Sequence, residues 1–525
     1  MAESFCSAAA GAAVGGAAVS LLIERFLRPF PTDFWRRPLA ALVIHLGLWF
    51  LLFSCLLLVL QRPFFAAGAL LAGLLFVVLV SNAKFASLRE PFIFQDFEYF
   101  SDALKHPRLY LPFLGAGRAG LAVLAFAGAV AAGLAVEEPL SGRLPVADFL
   151  VGAAILALLG LSLLWLGARC RPAVSFDATA DLQRLGLVAT MWRYGEEELV
   201  DCAVVSPYRD LTPERSMAER NRRLVVVQSE SFFDPRHLIP EIRRDVLRGF
   251  DAVRADAVVS GQLAVAAWGA NTVRTEFAFL SGLAAGSLAV HRFNPYRRLA
   301  RRTELTTLVS FLKSCGYRTV CVHPYAASFY ARDKVYPHLG FDEFVDIRSF
   351  DGAARSGPYV SDLAVAERVA GLLRGSLEQP LFVFVITMEN HGPLHLETVL
   401  PGDCERYYST PPGVGCAELT VYLRHLANAD RMAGRLRDEL EALPGTGWLC
   451  WFGDHVPIMP EVYRRLGTPA GHTDYFVWRK GGQNSPTRRR DLSVSDLGCL
   501  LLQEMGVCSS ATSHVDMPDK EYPPA

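Results

Sequence analysis

The sequence predicts an all-α membrane domain of five helices followed by an α/β domain with a largely parallel central sheet. Three observations carry this reading. The apolar excess in the 525 residues is concentrated before residue 170. From Leu224 onward, short apolar runs alternate with amphipathic helical patterns, the signature of a layered α/β unit. Four of those runs end abruptly on polar residues capable of chemistry, as strands of a parallel sheet do at a site.

Composition bounds the function classes. Net charge is −1, which excludes a bulk nucleic-acid binder. Hydrophobic residues make up 51% and mean hydropathy is positive, so part of the chain belongs in lipid. None of the eleven cysteines forms a CxxC pair, so no zinc ribbon or redox motif is present. Cys404 and Cys416 flank a Pro/Gly segment and could close a small disulfide loop. Cys55, Cys321, Cys450 and Cys499 sit in apolar runs and read as small buried hydrophobes.

Five apolar stretches, 8–23, 38–60, 64–80, 120–136 and 149–168, are read as spanning helices. The second and fifth have the ~20 residues a bilayer core demands. The first is short and rich in Ala and Gly. It lacks the basic flank of a signal peptide and is followed by Glu24-Arg25. The loop 25–37 carries Arg25, Arg28, Arg36 and Arg37, and the loop 84–118 is also basic. Counted by charge alone, both loops and the C-terminal part would face the cytoplasm. The stretch from Phe85 to Asp96 mixes aromatics with Arg89, Glu90 and Asp96, either an interfacial segment or a lipid-headgroup contact. Residues 1–168 are thus the membrane domain and 169–221 a polar connector, helical around 182–192. Residues 222–508 form the α/β domain, and 509–525 form a tail rich in Ser, Pro and charge.

Within the α/β domain, strands are expected at 224–227, 319–322, 381–386 and 447–452. Helices are expected at 305–313, 363–373 and 419–440. The first strand runs into Glu230, the second into His323, the third into His391 and the fourth into Asp454-His455. A lone Glu or His after a strand is ordinarily a solvated turn residue. Four such endings on one sheet edge are better explained by a site. Glu230, Asp454 and His455 make an oxygen/nitrogen ligand set suited to Mn or Zn and less to Ca, with Mg also admissible.

Thr272 lies in Asn271-Thr-Val-Arg-Thr-Glu-Phe277, ahead of an apolar helical pattern that stops at Gly282. Either Asn271 or Thr272 is well typed as the cap, and such a helix start favours a phosphate oxyanion. As a fourth metal ligand, Thr272 would have an acidified hydroxyl and serve as nucleophile. His391 could protonate a leaving oxygen and later deprotonate an incoming hydroxyl. Arg332 could fork onto a phosphate or simply pair with Asp333 at the surface.

With these residues in place, the chain resembles the lipoteichoic acid synthase and phosphoglycerol transferase family. These are membrane-anchored members of the alkaline phosphatase/sulfatase superfamily. Ser229-Glu230-Ser231-Phe232 is similar to the family's metal-binding strand end. The Thr272 segment is similar to its nucleophile segment, and Gly453-Asp454-His455 to its metal pair. His323-Pro-Tyr with Tyr330-Ala-Arg332-Asp333 resembles its headgroup-binding region, and Asn390-His391-Gly392-Pro393 its substrate histidine. The resemblance covers nearly the whole chain and includes the membrane-proximal Arg89-Glu-Pro…Asp96.

What the resemblance implies is a ping-pong reaction. Thr272 takes phosphoglycerol from phosphatidylglycerol and passes it to a glycan or polymer hydroxyl. His323, Tyr330, Arg332 and His391 would bind substrate, and a divalent metal, Mn in first place, would be held by Glu230, Thr272, Asp454 and His455. It also implies a multi-pass protein of the inner membrane with its catalytic domain outside the cytoplasm. This outward placement opposes the charge bias and needs all five spans. Tyr330 stands where Gram-positive members often carry Trp, and Ala331 precedes Arg332, so the headgroup is open. Arg greatly outnumbers Lys, consistent with a Gram-negative host that decorates periplasmic glycans. A phosphoethanolamine transferase is the alternative, since it shares the Thr, the metal and the anchor. A sulfatase-like hydrolase is disfavoured, since it would need a Cys or Ser in a C/S-x-P-x-R context, none of the eleven Cys has it, and the nucleophile slot holds Thr. A non-catalytic membrane protein on the same fold would not need the intact Glu230, Thr272, Asp454 and His455.

Overall fold

The computed structural model describes residues 2–98, scattered positions from 124 to 140, and 145–212, 222–301, 305–376, 379–482 and 486–507. The chain divides into two compact units, Met1–Asp201 and Cys202–Ala525.

The first unit is helical. Four stretches among the described residues are long and apolar enough to cross a membrane: Ala8–Phe26, formed by α1 (Ala2–Ile23) and the 3-10 turn after it, and the helices α2 (Leu39–Leu60), α3 (Pro63–Leu88) and α4 (Val146–Arg169). They cover four of the five expected spans. The remaining one, 120–136, lies largely outside the described residues. α2 and α4 approach closely through glycines: a Cβ on Gly47 would meet the Leu164 backbone at 2.5 Å, and one on Gly160 the Leu51 backbone at 2.6 Å. Small residues permit such contact where no hydrophobic effect drives helices together.

Two short helices, α5 (Ala178–Leu185) and α6 (Leu187–Glu197), complete this unit. The buried Glu24 pairs with Arg37 and accepts the Val188 amide at 3.0 Å, which ties them to α1. The segment after α3 is folded on itself. Lys84 Nζ donates to Glu90 Oε1 at 2.7 Å and Asp96 Oδ2 at 2.6 Å, so both acids are engaged internally.

The second unit is built on a nine-stranded sheet. The strands are β1 (Arg222–Ser229), β2 (Val259–Ala264), β3 (Arg318–Val322), β4 (Glu343–Val345), β7 (Leu381–Ile386), β8 (Thr446–Gly453), β9 (Thr473–Arg479), β10 (Arg488–Arg489) and β11 (Leu492–Ser493). A separate hairpin is formed by β5 (Arg355–Ser356) and β6 (Tyr359–Val360). The main order is β10-β2-β9-β8-β1-β7-β3-β4, with β11 beside β2. β8, β1, β7, β3 and β4 run parallel, and β9 is antiparallel to both its neighbours. The four strands read from sequence are the contiguous parallel centre.

Their apolar runs follow from burial on both faces. Val225, Val227, Val383 and Trp451 pack beneath the long helix α13 (Ala417–Ala442). Leu224, Val226, Phe384 and Phe452 pack on the other side against α8 (Thr272–Ser281). The other helices up to α13 are α7 (Arg248–Ala255), α9 (Leu308–Ser314), α10 (Arg332–Leu339), α11 (Asp362–Gly375) and α12 (Asp403–Tyr407). The suggested Cys404–Cys416 disulfide is not formed. Both thiols are free, with Cys416 buried in the core at the start of α13 and Cys404 on α12.

Candidate active site

The site lies at the carboxyl edge of the parallel strands. Adjacent strand ends are cross-bonded there: the Glu230 amide donates to Thr387 Oγ1 at 2.9 Å, and the Asp454 amide to the Ser229 carbonyl at 3.3 Å. These bonds hold Glu230 and the Asp454-His455 pair in register. Glu230, Asp454 and His455 are all buried, and one ligand atom from each lies within 4.8 Å of the others.

The orientation of each donor suits a cation. Asp454 Oδ1 is saturated by the amides of Ser231 (2.8 Å) and His455 (2.9 Å). Its Oδ2 is buried without a hydrogen-bond partner, which a buried carboxylate oxygen does not tolerate unless something else satisfies it. His455 Nδ1 donates to the Val456 carbonyl at 3.1 Å, which leaves the Nε2 lone pair facing Asp454 Oδ2 at 3.4 Å and Glu230 Oε1 at 3.7 Å. Such a bond on the remote nitrogen is how metal-ligating histidines are aimed. Burial and the Asp454 carboxylate push Glu230 up to about 8, against the lowering effect of His455, Ser231 and Arg332. Two buried carboxylates with an inward imidazole lone pair are a donor set a divalent cation would relieve.

Thr272 opens α8. The cap position belongs to Asn271, in left-handed backbone at φ 65°, and its side chain makes no capping bond, so the helix-start amides are not consumed by it. Thr275, one turn along the same face, donates to the Asp454 carbonyl at 2.8 Å. This bond sets the first turn of α8 against the strand end that carries the candidate metal ligands Asp454 and His455. Ser231, Asn271 and the Tyr330-Ala331 pair all adopt positive φ without being glycine. Each adjoins a candidate residue, where backbone strain tends to concentrate.

Arg332 is fully buried and reaches neither solvent nor Asp333. It forks onto Glu276, Nε to Oε1 at 3.2 Å and Nη2 to Oε2 at 2.8 Å. The hydroxyls of Tyr296 and Tyr336 also donate to Glu276 Oε1. The surface pair considered from sequence is therefore replaced by a buried one, and the fork is already engaged. What remains is Nη1, 3.4 Å from His323 Nε2. His323 Nδ1 donates to the Ile386 carbonyl at 3.1 Å, so Nε2 is an acceptor. Burial and Arg332 hold His323 well below the usual histidine value, as a neutral ring. Tyr330 lies against Arg332, its ring centroid 5.2 Å from the guanidinium carbon.

His391 follows β7. Its Nδ1 donates to the Gly392 carbonyl at 2.7 Å and lies 3.2 Å from the Tyr359 hydroxyl on β6. Burial lowers it below the usual value. Nε2 is therefore a bare acceptor, and the resting ring is a base.

Glu276 and Tyr359 were not assigned roles from sequence. Glu276 sits four residues after Thr272, a helical spacing that carried a signal. Tyr359 had none, because only the hairpin brings it to His391.

A family model described as sulfatase matches residues 222–507. The capsular polysaccharide biosynthesis protein RkpI of Rhizobium meliloti (strain 1021) is 29% identical over 457 residues, covering 82% of this chain and 80% of that protein. The integral membrane lipooligosaccharide phosphoethanolamine transferase A from Neisseria meningitidis superposes with a TM-score of 0.53 at 13% identity, over 88% of each chain. The phosphoglycerol transferase GacH of Streptococcus pyogenes, solved with sn-glycerol-1-phosphate, gives a TM-score of 0.44 at 22% identity, over 59% of this chain and 79% of that one.

Proposed function

The chain belongs to the sulfatase family, and from its site we propose that it is a membrane-bound, metal-dependent phosphoglycerol transferase. It takes phosphoglycerol from phosphatidylglycerol through Thr272 and passes it to a hydroxyl of a periplasmic or cell-surface glycan. The observation that carries this is the buried Glu230, Asp454 and His455 cluster, coupled through the Thr275 bond to the helix that begins with Thr272. The glycan acceptor is supported by the relative named for capsular polysaccharide biosynthesis.

A divalent cation, Mn in first place, would be held by Glu230, Asp454, His455 and Thr272 and would supply positive charge that acidifies the hydroxyl and offsets phosphate charge. Thr272 Oγ1 forms the new bond to phosphorus, and the bond from phosphorus to the diacylglycerol oxygen breaks. His391 Nε2, bare at rest, accepts a proton as Thr272 ionises and returns it to the departing diacylglycerol oxygen. In the second half the acceptor hydroxyl gives its proton to the same nitrogen and attacks phosphorus, the bond from phosphorus to Thr272 Oγ1 breaks, and that oxygen takes the proton back from His391. Atoms and protons then balance over the cycle.

His323, Tyr330 and Arg332 line the headgroup side. None is a carboxylate, and Glu276 beside them is consumed by Arg332. An uncharged glycerol suits that lining better than an ammonium, which is why phosphoglycerol is placed ahead of phosphoethanolamine.

The test is intact-mass and peptide mass spectrometry of the full chain in detergent, with Mn and phosphatidylglycerol. The expected result is a glycerophosphate adduct on Thr272 that is absent from Thr272→Ala. A phosphoethanolamine adduct formed only from phosphatidylethanolamine would overturn the headgroup. Diacylglycerol release undiminished in Thr272→Ala would overturn the nucleophile.

A further inference from the structure

His425, on α13, is fully buried with a carboxylate on each ring nitrogen. Nδ1 donates to Glu389 Oε1 at 3.0 Å, and Nε2 to Glu397 at 3.1 Å. Both nitrogens are donors, so the ring is an imidazolium. Burial alone would lower it, yet the hydrogen bonds to Glu389 and Glu397 raise it to about 9.

The two carboxylates bracket the segment that carries His391, one two residues before it and the other six after. Each end is secured further. Glu389 accepts the Asp362 amide at 2.7 Å from the start of α11 and a bond from Asn428. Glu397 accepts from Arg424 at 3.2 Å, and Arg424 also reaches Asp403 on α12 at 3.1 Å. The same imidazolium reaches the hairpin: Ser356 Oγ on β5 lies 3.2 Å from His425 Nδ1 and accepts from Asn428 at 3.3 Å. Across that hairpin, Tyr359 touches His391 Nδ1. His425 therefore holds both ends of the His391 segment and the hairpin that abuts its ring. It has no free nitrogen for a reaction of its own.

We infer that His425, bridging Glu389 and Glu397, is a positioning residue that sets His391 for proton transfer. The inference rests on the proton-transfer role given to His391 above. A proton carrier displaced by about 1 Å can lose on the order of a hundredfold in rate, so a clamp two hydrogen bonds away has leverage over turnover.

The experiment uses the full chain in detergent with Mn and phosphatidylglycerol. The variants are Glu397→Gln, which leaves the core intact, Glu397→Asp and His425→Gln. Two quantities are read: steady-state release of diacylglycerol, and hydrogen–deuterium exchange of peptides covering 388–398. Glu397→Gln and His425→Gln are expected to lower kcat by about tenfold or more with KM for the lipid nearly unchanged, since positioning acts on the transition state. Exchange across 390–397 should rise in both, and Glu397→Asp should recover part of kcat. Unchanged kcat, or a loss confined to KM, would overturn the inference. Unchanged exchange would overturn the clamp even if the wild-type protein transfers nothing from either lipid. That inactivity would instead count against the proposed reaction.

Discussion

Thr275 donates its hydroxyl hydrogen to the backbone carbonyl of Asp454 at 2.8 Å, and this one bond joins the helix bearing Thr272 to the strand end bearing the candidate metal pair. Thr275 and Asp454 are both fully buried. Thr275→Val keeps the shape and removes the donor. It should cost about 1–3 kcal/mol through the unsatisfied carbonyl. Thermal unfolding read beside turnover checks it: the denaturation midpoint should fall by a few degrees and turnover should fall more than the remaining folded fraction explains. Full activity at a lowered midpoint would mean the bond stabilises the fold without placing Thr272.

The buried Asp454 Oδ2 without a partner predicts a cation-dependent stability as well as a cation-dependent activity. Chelation should stop turnover and lower the unfolding midpoint, and Mn, Zn or Mg should restore both to differing extents. A ligand at a hundred times its Kd adds about 2.7 kcal/mol. Glu230→Gln should abolish this metal-dependent shift. Dialysed, metal-free protein with full activity would remove the metal from the reaction.

The two layers of this site were unequally legible. Glu230, His323, His391, Asp454 and His455 could be read because parallel strands declare themselves as apolar runs, such as Leu224 to Val227, and their ends follow directly. β9 was missed because Thr473-Asp-Tyr-Phe-Val-Trp-Arg sits antiparallel among parallel neighbours, and β2 because Ser260, Gly261 and Gln262 dilute its apolar signal. The partners of the site residues were hidden for another reason. Arg332 meets Glu276 across 56 residues and His425 meets Glu397 across 28, and no local pattern encodes such a pairing. The disulfide idea failed similarly, since spacing alone does not say that Cys416 turns into the core.

The Arg332–Glu276 pair is predicted to be structural in its fork and substrate-directed only through Nη1. Glu276→Ala would strand a buried guanidinium, and breaking such a pair costs about 3–5 kcal/mol. Glu276→Ala should therefore give little folded α/β domain. Arg332→Lys should fold better but lose the two-point geometry, with turnover falling while metal binding persists. Limited proteolysis and metal content, measured on both variants, separate the two effects. Well-folded, active Glu276→Ala would show that the pair carries neither load.

Orientation is open to a direct test. The basic loop 25–37 argues for a cytoplasmic α/β domain, whereas a glycan acceptor outside the membrane requires the opposite. Part of the loop is engaged within the protein, Arg37 with Glu24 and Arg25 with Asp33 at 3.5 Å. A reporter active only outside the cytoplasm, fused after residue 525, should be active in cells. A silent reporter there, with a cytoplasmic one active instead, would uphold the charge rule and exclude an external acceptor.

The His425 clamp carries a pH dependence whose sign can be worked out. His425 titrates near 6.5 when unfolded and at about 9 when folded, so the folded state binds its proton more tightly. The resulting stabilisation is full below pH 6.5, on the order of 3 kcal/mol, and is lost as pH rises through about 9. Glu397 works at the other end. Burial opposes it, but the His425 bond holds it below the usual carboxylate value, so its share is present above about 4.5 and fades at more acid pH. Glu389 and Glu397 bond the ring nitrogens, and the buried Asp362, held well above the usual carboxylate value by burial and Glu389, lies close enough to feel the ring's charge but is common to wild type and His425→Gln. The stability difference between wild type and His425→Gln should therefore shrink steadily from pH 6.5 to 9. Denaturant unfolding at half-unit steps of pH reads it. A difference that stays flat across that window would mean the imidazole is not held as a cation, and the two carboxylates would need another source of charge.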